Sequence, residues 1–105
     1  MRPIIATSLE FVRLHIAATD SGNPTDPTLD LVTIAFVRSM QPASGDFVAA
    51  SWETDASTPI TRYYARCLVG PGGAIELAPG TYQVFVKIVA DPELPILHAG
   101  LLRVV

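Results

Sequence analysis

Between residues 81 and 90, apolar side chains recur at every second position. Tyr82, Val84, Val86 and Ile88 alternate with Gln83, Phe85 and Lys87. Successive side chains of an extended strand point to opposite faces, so a period of two assigns the two sets to two surfaces. A helix would need a repeat near 3.6, and no window of about 12 residues or more keeps one. The same alternation returns in residues 8–18, where Val12, Leu14 and Ile16 oppose Phe11, Arg13 and His15, the polar members marking the solvent side. In residues 29–38, Val32, Ile34 and Phe36 oppose Asp30 and Arg38. In residues 60–69, Tyr63, Ala65, Cys67 and Val69 oppose Arg62, Tyr64 and Arg66. Residues 47–53, ending near Trp52, and residues 74–77 read as two short strands. Residues 96–105 close the chain with a blurred alternation, which predicts a strand covered on both faces.

The punctuation agrees. The chain holds nine Pro and seven Gly, and they cut it at short intervals. Pro24 and Pro27 in residues 19–28, Pro42 with Gly45, Gly70-Pro71-Gly72-Gly73, Pro79-Gly80 and Pro92 with Pro95 all mark turns. Ten Val, eight Ile and nine Thr favour extended backbone, because branching at Cβ crowds a helix. About seven short strands in 105 residues predict one all-β domain, an immunoglobulin-like antiparallel sandwich. Residues 1–7, set off by Pro3, read as an N-terminal arm, and residues 8–105 as the sandwich. Its predicted core is Val32, Ile34, Phe36, Trp52, Tyr82, Val84, Val86 and Ile88. Trp52 suits a core site with its indole N–H on a backbone oxygen. Tyr82, just after Pro79-Gly80-Thr81, resembles the corner tyrosine that ties a loop to the next strand in sandwiches.

Composition narrows the function. Hydrophobic residues are 50% and charged residues 16%, against roughly 25% in an average domain, which excludes a disordered chain. Six Arg and one Lys stand singly in a chain of net charge -3, so no basic patch points to a specific nucleic acid. No stretch reaches the roughly 18 apolar residues of a membrane-spanning helix, and Glu10 and Arg13 interrupt the N-terminal segment before a signal-peptide core forms. The single cysteine, Cys67, makes neither an internal disulfide nor a Cys-rich zinc site.

No nucleophile turn, phosphate loop or dinucleotide glycine pattern is present, so the chain reads as non-enzymatic, with no cofactor and no metal. Cys67 with His15 or His98 is the only nucleophile–base combination, and the register of Cys67 between Ala65 and Val69 makes it a buried thiol instead. Asp20, Asn23 and Asp26 offer oxygen ligands in one loop. Their spacing lacks the calcium-loop pattern, and Asp and Asn serve turns equally well. The stripe Arg62, Tyr64 and Arg66, with Phe85 outward on its own strand, is the candidate partner contact. Arg and Tyr are enriched where proteins meet, and exposed apolar area marks interaction surfaces. Binding a sugar would need Trp52, Tyr63 or Tyr64 exposed as a platform.

Three blocks carry a resemblance. They are Gly45-Asp46-Phe47 with Ala50-Ser51-Trp52-Glu53-Thr54-Asp55; Tyr64-Ala65-Arg66-Cys67-Leu68-Val69-Gly70-Pro71-Gly72-Gly73; and Leu77-Ala78-Pro79-Gly80-Thr81-Tyr82-Gln83-Val84-Phe85-Val86-Lys87. Asp91-Pro92-Glu93-Leu94-Pro95 and Gly100 follow. In this order, over residues 29–105, the chain resembles small virion structural proteins of actinobacterial tailed phages and prophages. The resemblance implies a particle component without catalysis, assembled in the host cytoplasm. Its leading form is a head decoration or stabilising protein that binds the major capsid protein or other virion proteins and self-associates. A head–tail connector or a tail or baseplate adhesion accessory is the alternative.

Overall fold

The computed structural model describes residues 2–17, 19–20, 23–24, 26–57, 59–89 and 94–105. The described residues form nine strands: β1 (Glu10–Ile16), β2 (Thr19–Asp20), β3 (Asn23–Pro24), β4 (Leu31–Val37), β5 (Phe47–Ala49), β6 (Ser51–Asp55), β7 (Arg62–Val69), β8 (Gly80–Val89) and β9 (Ile96–Val104). All ladders are antiparallel. One sheet has the order β1-β7-β6, the other β5-β4-β8-β9, and β2 and β3 form a small ladder in the first long loop. The two larger sheets pack face to face as the expected β-sandwich. Val12, Leu14 and Ile16 of β1 and Ala65, Cys67 and Val69 of β7 meet Val32, Ile34 and Phe36 of β4 and Tyr82, Val84, Val86 and Ile88 of β8 in one buried cluster. The period of two is thus satisfied strand by strand, since one face of each sheet leaves water.

Two tethers hold loops to this core. The Tyr82 hydroxyl donates to the Ala78 carbonyl at 2.7 Å, while the Arg38 guanidinium donates to the same hydroxyl at 3.2 Å and lies over its ring. The half-buried Trp52 packs on the core and donates its indole N–H to the Asp30 carbonyl at 2.8 Å. Tyr82→Phe keeps the ring and removes the hydroxyl, so it is expected to cost about 1–2 kcal/mol, read as a lower midpoint of urea unfolding at an unchanged slope.

Several expectations are corrected. Residues 47–53 do not form one strand. β5 belongs to the four-stranded sheet and β6 to the three-stranded one, and the chain changes sheets at Ala50, whose N–H donates to the Val32 carbonyl at 3.2 Å. Residues 74–77 make only an isolated bridge, Val69 to Ile75, because the turn after β7 closes on itself through Gly70 N to Ile75 O and Ala74 N to Leu68 O. The final strand is not covered on both faces. Ile96, Leu97, His98, Ala99 and Leu101 are exposed, and only Leu102 and Val104 are buried. A bulge explains the blurred pattern. Leu97 pairs with Val86, His98 with Phe85 and Gly100 with Val84, so Ala99 is the extra residue that resets the phase.

Residues 4–6 of the proposed arm are engaged within the domain. Ile4 is buried, its N–H donates to the Arg103 carbonyl at 3.0 Å, and the Val105 N–H returns to the Ile4 carbonyl at 2.9 Å, in a parallel pairing with the end of β9. The turn expected around Asp91, Pro92 and Glu93 lies outside the described residues.

Candidate protein-contact face

The outer face of the three-stranded sheet gathers the predicted stripe. β7 is its central strand, so Tyr64 and Arg66 gain neighbours on both sides, while Arg62 lies past the end of β1 and pairs only with β6. The register sets Arg13 opposite Arg66 and His15 opposite Tyr64 from β1, and Ser51, Glu53 and Asp55 opposite Arg66, Tyr64 and Arg62 from β6. Two arginines directly across a ladder repel. Glu53 offsets that repulsion by bonding both: it forms an ion pair with Arg13 and accepts from Arg66 Nη1 at 3.2 Å. Each guanidinium carbon also lies over a ring, Arg13 over Tyr64 and Arg66 over Phe11, both at 4.4 Å from the centroid. Arg66 Nε further donates to Ser51 Oγ at 3.3 Å, and the His15 ring tilts against Tyr64 at 5.5 Å.

The result is a layer of guanidinium groups and aromatic rings that contact one another within the sheet. Ordering by such contacts lowers the side-chain entropy lost on binding. At the far end of the stripe, Asp55 is held below the ordinary carboxylate range. The Ser57 hydroxyl and amide that donate to it at 2.6 and 3.0 Å are the main cause, with smaller contributions from the Arg62 and Arg13 charges.

Phe85 does not join this face. It points outward from the other sheet, as its register requires, yet it is only 6% exposed. Ala35 stands beside it on β4, and the His98 ring on β9 tilts against it with centroids 5.0 Å apart. Alternation along one strand tells which way a side chain points, and the neighbouring strands decide whether it is covered. Trp52, Tyr63 and Tyr64 are all half-buried, and Tyr64 lies beneath the Arg13 guanidinium.

The other candidates separate in space. Cys67 is buried on the inner face of β7, whereas His15 lies on the outer face of that sheet and His98 on the outer side of the other, bonded to Gln83 Oε1 at 2.8 Å. Burial pushes the Cys67 thiol above its ordinary pKa of 9.0. The native thiol is therefore expected to resist a water-soluble disulfide reagent until the chain is unfolded. In the unfolded chain it ionises first, so that state binds fewer protons. This contribution to stability is intact below the ordinary thiol pKa and is lost as the pH rises above it. Unfolding midpoints measured upward from pH 9 should fall in the wild type more than in Cys67→Ala.

In the first long loop, Asp26 Oδ1 accepts from the Thr28 hydroxyl at 2.6 Å and the Thr28 amide at 2.8 Å, a local turn that lowers its pKa. The side chains of Asp20 and Asn23 lie outside the described residues. Among the described residues no three of His, Cys, Asp and Glu come together as a metal site.

Sequence reasoning singled out the stripe on β7 but missed Phe11, Arg13, Glu53 and Ser51 as parts of the same face. Their alternation was visible, but nothing in the sequence shows which strands flank β7. Comparisons of the chain with protein-family models, with curated proteins and with solved structures find no match.

Proposed function

We propose that this chain is a non-enzymatic contact domain of a tailed-phage particle, a head decoration or stabilising protein that binds neighbouring capsid subunits. The observation that carries the contact role is the Arg13–Glu53–Arg66 network laid over Phe11 and Tyr64. Arg and aromatic side chains bring large contact area and directed hydrogen bonds, and they are enriched at the centres of protein interfaces. The particle setting rests on the sequence blocks of residues 45–55, 64–73 and 77–87 described above. In a shell, copies of one modest contact act together through effective concentration, so a small face suffices.

The test is mass spectrometry of particles purified from the host that encodes the chain. This chain is expected in many copies per particle and, on labelling, with signal over the shell. Absence from particles would overturn the proposal, and signal confined to the tail would replace the head role with that of a tail or baseplate accessory.

A further inference from the structure

Each sheet edge of a sandwich exposes unpaired N–H and C=O groups, and soluble proteins normally defend such edges with charge, proline or brevity. Three of the four edges of the two larger sheets are defended in this way. β1 carries Glu10 and Arg13, β6 carries Glu53 and Asp55, and β5 is three residues long. The end of β9 is covered by residues 4–6 of the arm. The remaining stretch, residues 96–101, has no Asp, Glu, Lys, Arg or Pro, and among the described residues nothing pairs with its outward side. Its Ile96, Leu97 and Leu101 side chains are 49%, 47% and 51% exposed. Beside it the sandwich stands open as a cleft of about 480 Å³ whose apolar walls are Leu14, Ile16, Val86 and Leu97. The arm shows what closes such a gap: a strand hydrogen-bonded to β9 that sends one apolar side chain, Ile4, into the core.

We infer that residues 96–101 are a self-association edge, on which β9 of a second copy pairs antiparallel about a two-fold axis and joins the two four-stranded sheets into one. This goes beyond the contact role proposed above, since it names a second surface, on the edge of the other sheet, and a different partner, a second copy of this chain. The bulge at Ala99 selects the register. Ile96 and Leu101 both face outward, and Leu97 and Gly100 both face inward. Faces match when Ile96 lies across from Leu101 of the partner subunit and Leu97 across from Gly100 of the partner subunit. Ile96 and Leu101 then cover each other's half-exposed surface. Leu97 meets a position where no atom lies within 4 Å of the place a Cβ would occupy, so its side chain has room over the cleft. No like charges oppose each other, because the segment carries none. The two-fold symmetry makes the contact closed, so it stops at a dimer.

The contact is smaller than the roughly 800 Å² per partner of a standard interface. A dissociation constant between roughly 10 μM and 1 mM is therefore expected, by sedimentation of the full chain over a concentration series. Leu101→Lys should weaken the dimer by about tenfold or more, whereas Met40→Lys, at an exposed loop site, should change it less than about twofold. Melting curves of both variants check that the fold is intact. Hydrogen exchange should show amides in residues 96–101 gaining protection as concentration rises. A monomer persisting to about 1 mM, or a dimer indifferent to Leu101→Lys, would overturn the inference. Either result leaves the particle test standing, and absence from particles leaves a β9-paired dimer standing, so the two failures are distinct.

Discussion

Gly70→Ala is expected to lower the melting temperature by about 10 °C or more, and it should do so without touching the hydrophobic core. Gly70 directly follows β7 and has φ of 134°, a backbone region that side chains rarely enter. A Cβ there would sit 2.1 Å from the Ser8 carbonyl oxygen and 2.9 Å from the Leu9 Cα, both backbone atoms that no rotamer change can move. The glycine also anchors the turn, donating its N–H to the Ile75 carbonyl and accepting from the Gly73 N–H. Strain of about 1–3 kcal/mol adds to a comparable cost for the overlap. For a domain whose whole stability is of order 5–15 kcal/mol, that is a large fraction. Calorimetry of the variant checks it. A loss below about 2 °C would mean that the approach of residues 8 and 9 to this turn is wrong.

Leu102→Ala is expected to cost about 3–5 kcal/mol, and its neighbour Leu101→Ala less than about 0.5 kcal/mol in the monomer. Leu102 is 0% exposed and lies in the central cluster opposite Tyr82, while Leu101, one residue earlier, faces out opposite Gln83. Truncating the first removes buried methyl groups and leaves a cavity in a tightly packed interior, and truncating the second removes surface that water already touches. The contrast is read in urea unfolding at low protein concentration. Equal costs at the two sites would contradict the phase assigned to β9.

These two sites mark where the sequence was legible and where it was not. The strands of the core were legible because period-two runs such as Val84, Val86 and Ile88 carry a local signal that pairing does not alter. The tethers of Trp52 and Tyr82 were legible as well, since a buried indole N–H or phenol must find an acceptor. Three features were hidden because they depend on partners distant in sequence. Ala50 looks like the middle of one strand, yet the chain changes sheets there. The extra residue Ala99 disguises the alternation of β9, and only the pairing with β8 reveals it. Phe85 reads as exposed until Ala35 and His98 are placed beside it. The contact face was half-legible in the same sense. Arg62, Tyr64 and Arg66 share a strand, whereas Arg13 and Glu53, which lock the arginines in place, come from β1 and β6.

The most direct test of the contact role is a quantitative comparison of purified particles assembled with the wild-type chain and with an Arg13→Ser/Arg66→Ser double variant, after melting curves have shown that both fold. Many copies of the wild type per particle are expected, with a loss of about tenfold or more for the variant. Equal incorporation of the two chains, or the absence of both, would contradict that role.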